Sequence, residues 1–225
     1  MDTLNEKHII DSWHKNADPW VTAVRGDEID SRVLVTNQAI LDAIVAYAPA
    51  SVLDVGCGEG WLVRALTGQG IDVLGVDIVP ALIDVARQSG PGRYQVQSYQ
   101  DLSAESLNMQ FDLVVCNFSL FGKDSVEQVF QQVPVLLNHG GVFVVQTLHP
   151  QVAGAYLEYI DGWHQGNWNG FNEQFTDPAP WYFRTIESWQ ALFSDNGFVS
   201  PEMREPVHPS TGKPASIILS AGLAD

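Results

Sequence analysis

The chain has 225 residues, 45% of them apolar, and a formal charge of −16 from 11 basic and 27 acidic side chains. That length fits one α/β domain with a modest addition, and the apolar share suits a folded globule. The charge argues against nucleic acid and anionic lipid, which are held largely by Lys and Arg, and favours a neutral or cationic small molecule.

No apolar run reaches membrane-spanning length, and the opening MDTLNEKHII lacks the basic-then-apolar layout of a secretory leader. A cytoplasmic monomer or homodimer is the expectation. The two cysteines, Cys57 and Cys116, fall at the ends of predicted neighbouring strands and read as a reduced, packed pair.

In chain order, residues 4–17 form a predicted helix with Ile9, Ile10 and Trp13 on its apolar face, broken at Asp18-Pro19. A second helix is expected over 31–46, with Val33, Ala39, Ile40, Ala43 and Ile44 as its apolar positions. Together, residues 1–48 read as a helical lid. Strands then alternate with helices: strands at 51–55, 72–76, 94–97, 111–116 and 142–147, helices at 61–69, 80–88 and 125–137. Pro134 is expected to kink or interrupt the last helix. This rhythm implies parallel strands with right-handed helical crossovers. Beyond the fifth strand the rhythm stops: 150–182 is an aromatic-rich insertion, followed by a helix at 186–194 and a hairpin ending in 215–221.

The richest stretch is Ser51-Val52-Leu53-Asp54-Val55-Gly56-Cys57-Gly58-Glu59-Gly60. A strand with an acidic residue near its end runs into a glycine turn and then a helix, a setting that brings bare backbone close to a ligand. The next strand runs into Asp77, whose carboxylate suits two ribose hydroxyls. A dinucleotide site would want its third glycine one residue later, where Trp61 stands, and Asp54 would repel a pyrophosphate. An ammonium group beside Asp54 and a nucleoside without phosphate fit S-adenosyl-L-methionine, whose product is S-adenosyl-L-homocysteine. NAD or FAD, and a turn without ligand, are the alternatives.

VLDVGCGEG followed by VLGVD resembles the class I S-adenosylmethionine-dependent methyltransferases, and most nearly the small-molecule branch around the ubiquinone-biosynthesis O-methyltransferases. The resemblance implies a single Rossmann-like α/β domain over 1–225: a seven-stranded, mostly parallel sheet with helices on both faces and one antiparallel strand near the C-terminus. It implies a cofactor site of Asp54, Gly56, Cys57, Gly58, Gly60, Asp77 and Ile78, with Tyr99, Gln100 and Asn117 completing the pocket. Arg32 is the candidate for the cofactor carboxylate, its fork matching that geometry. Ser98 stands where many relatives have Asp, and Ser119-Leu120-Phe121-Gly122 replaces the family's Glu-His pair.

The expected activity is methyl transfer to oxygen or nitrogen of a small aromatic or apolar metabolite. A noncatalytic cofactor-binding or sensor protein is the rival. The acceptor wall is expected from Trp13, Trp20, Tyr156, Tyr159, Trp163, Trp168 and Phe171, with Trp181, Tyr182 and Phe183 at its edge, although these rings could instead form a second small core. His149, at the strand-five exit, is the first candidate for a base, followed by His14 and His164. No residue cluster argues for a metal.

Overall fold

The structure is a computed structural model that describes residues 4–153 and 158–224. Its central sheet has seven strands: β1 (Ser51–Val55), β2 (Asp72–Asp77), β3 (Arg93–Val96), β4 (Phe111–Asn117), β5 (Leu137–Thr147), β8 (Glu202–Arg204) and β9 (Ile217–Gly222), in the spatial order β3-β2-β1-β4-β5-β9-β8. β1 to β5 pair in parallel, whereas β9 runs antiparallel to β5 and to β8. A small ribbon of β6 (Gly162–His164) and β7 (Trp181–Phe183) stands apart.

Period-two alternation sends the strand side chains to two apolar layers. Leu53, Val55, Val114, Cys116, Phe143 and Val145 join one core with α7 (Asp124–Leu136) and α9 (Ile186–Asp195). Val52, Leu113, Val115 and Val144 join the other with α3 (Asn37–Val45), α4 (Trp61–Thr67) and α5 (Pro80–Gln88). The strand order reverses between β1 and its two neighbours, β2 and β4. A crevice therefore opens beyond the C-terminal ends of β1 and β4.

Three local expectations are corrected. The first helix ends at Lys15, and Pro19 sits instead in the first turn of α2 (Ala17–Arg25), where a missing N–H costs nothing. Pro134 does not interrupt α7; only two residues follow it, so the lost bond falls in the final turn. The second helix begins with a π-helical turn, Arg32–Thr36, ahead of α3. The wider turn shifts the helical phase, leaving Val33 and Leu34 exposed while Ile40, Ala43 and Ile44 remain buried.

Segments distant in sequence close over the crevice. Glu6, in α1 (Glu6–Lys15), reaches the start of α7: its Oε1 accepts from the backbone N–H groups of Lys123 at 2.6 Å and Asp124 at 2.9 Å, and its Oε2 from the Ser125 hydroxyl at 2.5 Å. A carboxylate there satisfies otherwise orphaned amides at the positive end of a helix. Asn16 pairs with the Thr176 backbone in both directions, donating at 2.8 Å and accepting at 2.9 Å, and the Ser12 hydroxyl donates to Asp177 O at 2.6 Å.

Candidate active site

The turn after β1 is bent by glycines at positive φ. A Cβ on Gly56, at φ 78°, would come within 2.3 Å of Ser119 Cβ, so the β1 and β4 exits approach closely only without it. Gly58, at φ 57°, faces open space instead, with Trp20 Nε1 the nearest atom at 3.7 Å. Its missing side chain leaves the floor of a cleft bare. Asp77 is held rigidly at the tip of β2: its Oδ2 accepts from Gly58 N–H and its Oδ1 from Val79 N–H, both at 2.9 Å. Burial pushes its pKa up, and these amides pull against that shift.

The cleft holds about 1140 Å³ of empty space, its open mouth included. It is lined by Arg32, Gly56, Cys57, Gly58, Asp77, Ile78, Tyr99, Gln100 and Asn117, together with α1 residues Ile9, Ile10 and Trp13. Gly60 is one step removed: it precedes α4 at φ 83° and packs against Tyr94. Asp54 lies behind the glycine turn, 1% exposed, and its Oδ1 has no hydrogen-bond partner. Burial, reinforced by Asp77 and opposed by Arg32, pushes the Asp54 pKa up to about 8. Arg32 is held between the rings of Trp20 and Trp61, 5.6 and 5.2 Å from their centroids, with Nη2 buried and unpartnered. Burial lowers its pKa to about 10, against the pull of Glu59 and Asp54.

These residues fit a methionine-type zwitterion joined to a nucleoside. A buried carboxyl lacking a donor suits the ammonium, an arginine lacking an acceptor suits the carboxylate, and a fixed Asp77 suits a diol. Cys57 and Cys116 are free and buried, and burial raises both thiol pKa values, so they act as packing rather than as nucleophiles.

A second chamber of about 1220 Å³, mouth included, shares Trp13, Trp20, Arg32, Phe118 and Phe121 with the first. Trp168, Phe171 and Trp181 of the insertion close its far side. Its rings meet at angles: Trp13 is 5.2 Å from Trp20 and 6.0 Å from Trp168, both edge-on. Tyr159, Trp163, Tyr182 and Phe183 do not line it; Trp163 and Tyr182 meet edge-on across the β6–β7 ribbon, and Tyr159 packs on Phe183. Tyr156 lies outside the described residues.

The three histidines are not brought together at the cleft. His149 is buried with its Nε2 2.6 Å from Glu205 Oε1, and it is the neighbouring Leu148 that faces the second chamber. His14 is exposed on α1, and His164 packs at a tilt against Trp181 and edge-on against Phe183. Sequence reasoning missed Glu6 and Glu59, which both line the cleft. Glu59, 1% exposed, is held by Arg64 at 2.7 Å and Arg25 at 3.2 Å. Its place inside the glycine motif was the available signal; Glu6 offered none.

The sheet order and the cleft at its switch point define a class I S-adenosylmethionine-dependent methyltransferase fold. A methyltransferase domain family matches residues 34–200, and the chain belongs to that family. Over 132 residues it is 36% identical to a ubiquinone biosynthesis O-methyltransferase of Xylella fastidiosa, covering 55% of this chain and 53% of that protein. A Xanthomonas campestris protein of the same name is 38% identical over 123 residues, covering 52% of this chain and 51% of its own length. The chain thus spans about half the length of the curated relatives it matches. A Mesorhizobium loti S-adenosylmethionine-dependent methyltransferase structure shares the fold at a TM-score of 0.61 and 23% identity, covering 80% of this chain and 95% of that one. Among the described residues, no helix is long and apolar enough to cross a membrane, and no group of His, Cys, Asp and Glu could hold a metal ion.

Proposed function

We propose that this protein transfers a methyl group from S-adenosylmethionine to an oxygen or nitrogen of a small aromatic or apolar metabolite. The observation that carries the reading is a set of three polar anchors: Arg32, with an unpartnered buried Nη2, and Asp77, pinned by two backbone amides, line one cleft, and Asp54, with an unpartnered Oδ1, is buried behind its glycine turn. Asp54 would hold the cofactor ammonium, Arg32 its carboxylate and Asp77 its ribose, with Ile78, Tyr99, Gln100 and the Asn117 exit walling the adenine and methyl ends. The bound cofactor supplies a methyl group already activated by positive sulfur. The chain's own work is to align the acceptor and to exclude water.

Residues 1–48 and 150–182 act in this reading as the cap over the acceptor. The rings of Trp13, Trp20 and Phe121, which line both chambers, and of Trp168 and Phe171 on the far side of the second, support that role. None of the three histidines is assigned to proton transfer, because none lines either chamber.

Calorimetry with S-adenosylhomocysteine tests the site. The protein should bind it, and Asp77→Asn should weaken binding by roughly 1.5–3 kcal/mol, about 10- to 150-fold, through lost charged hydrogen bonds. An unchanged affinity refutes the ribose assignment. Binding of NADH in preference to S-adenosylhomocysteine refutes the function.

A further inference from the structure

Every acidic or nucleophilic side chain lining the first cleft is already engaged or held neutral. Glu6 is spent on the α7 amides, Glu59 on Arg25 and Arg64, and Asp77 on Gly58 and Val79. Tyr99 donates its hydroxyl to Ser119 O at 3.0 Å, and burial raises its pKa. Among the described residues, the second chamber is lined by no carboxylate, imidazole, amine or thiol, and its one charged side chain is Arg32.

Arg32 enters that chamber from the π-helical turn, an irregularity common at functional sites. One full turn on, Thr36 is 1% exposed, and its Oγ1 has no partner although the residue lines the same chamber. A buried donor left without an acceptor is costly. The cofactor carboxylate answers Arg32 Nη2 in the reading above, so Thr36 Oγ1 is the orphan left for an oxygen-bearing ligand, beside the guanidinium charge in the chamber wall.

We propose that the methyl acceptor is an aromatic oxyanion, a carboxylate or ionised phenol, seated among the rings with its charged oxygen on Arg32 and Thr36. The inference rests on the methyl-transfer reading above. A protonated amine would meet Arg32 as a like charge and would have to lose a proton to a base that the chamber lacks. An oxyanion needs none. Its lone pair forms the new O–C bond while the C–S bond breaks with its electron pair passing to sulfur. Anion and sulfonium thus become a neutral ester or ether and a neutral thioether, with no proton left over. The guanidinium has five N–H donors in a fixed fork, enough to serve the cofactor carboxylate and an acceptor oxygen together. The overall −16 charge favoured a neutral or cationic partner, but surface charges are screened beyond about 8 Å at physiological salt, whereas Arg32 is in the chamber wall.

The test is calorimetry on the full chain saturated with S-adenosylhomocysteine, using two probes with one ring system and opposite charge: 2-naphthoate and 2-naphthylmethylammonium. The oxyanion should bind at least 10-fold more tightly. Arg32→Gln should remove that preference, and Thr36→Val, which keeps shape and loses the hydroxyl, should reduce it 3- to 10-fold. 4-Nitrophenol, followed by its visible absorbance, separates the two sources: a lowered apparent pKa on binding identifies the phenolate, and binding of naphthoate alone identifies the carboxylate. Equal or tighter binding of the amine, or binding of neither probe, overturns the proposal while leaving methyl transfer standing. Failure of S-adenosylhomocysteine itself to bind overturns both.

Discussion

Asp54→Asn should separate the stability of the empty protein from its affinity for cofactor. An unfolded Asp carboxyl titrates near 3.8, whereas the folded one is pushed up to about 8 by burial and by Asp77. Between those values the folded state binds more protons than the unfolded state, so this group's contribution to stability falls as pH rises from about 4 to about 8. At 1.36 kcal/mol per pH unit the difference amounts to roughly 5 kcal/mol before the surroundings relax. Asn matches the neutral acid in shape and cannot ionise. At pH 6, about two units above the unfolded pKa, the empty variant should therefore already be more stable than the wild type by roughly 3 kcal/mol. At pH 9 it should be the more stable of the two by several kcal/mol. Cofactor binding runs the other way, because the ammonium favours the ionised carboxylate. At pH 7 a group with pKa about 8 is roughly 90% protonated. Wild-type binding of S-adenosylhomocysteine should then release close to one proton, read as a difference in calorimetric enthalpy between phosphate and Tris buffers. The variant should show no such difference and bind about 10- to 150-fold more weakly. A wild-type enthalpy independent of buffer, or an unchanged affinity in the variant, would refute the placement of Asp54 against the ammonium.

Gly56→Ala should cost roughly 2–5 kcal/mol, because it adds left-handed strain to a Cβ 2.3 Å from Ser119 Cβ. In a chain of this size that lowers the melting temperature by roughly 5–15 °C, and a melt within two degrees of wild type would disprove the close approach. Glu6→Ala strips the acceptor from the α7 N-terminus, at roughly 1–2 kcal/mol. Hydrogen exchange at Lys123, Asp124 and Ser125 should quicken about 10-fold; unaltered protection would show that α1 does not hold that helix.

The sheet was legible because its order is written locally. Apolar runs such as 111–116, punctuated by glycines, specify two-sided strands, and the helices between them force parallel crossovers. The same locality explains the failures. A linear reading places residue 149 after β5 but cannot say which side of the exit its ring takes, and it is Leu148 that faces the chamber. The periodicity over 31–46 suggested one uniform helix; the π turn that redirects Arg32 and exposes Val33 has no composition signal. Arg32 was legible, through the family resemblance and its place just before the core, as the candidate for the cofactor carboxylate, but its seat between Trp20 and Trp61 depends on tertiary packing. The aromatic insertion announced itself by content, while the division between chamber wall (Trp168, Phe171) and outer ribbon (Trp163, Tyr182) followed from its path in space.

The contacts of the first helix bear on traffic through the molecule. Glu6 fastens its beginning to the sheet side, Asn16 fastens the residue after its end to the insertion, and Trp13 between them belongs to both chambers. One rod thus bounds both chambers. Under the proposed assignment of donor and acceptor, a swing of that rod wide enough to release spent nucleoside would also dismantle the seat of the methylated product, coupling the two departures mechanically.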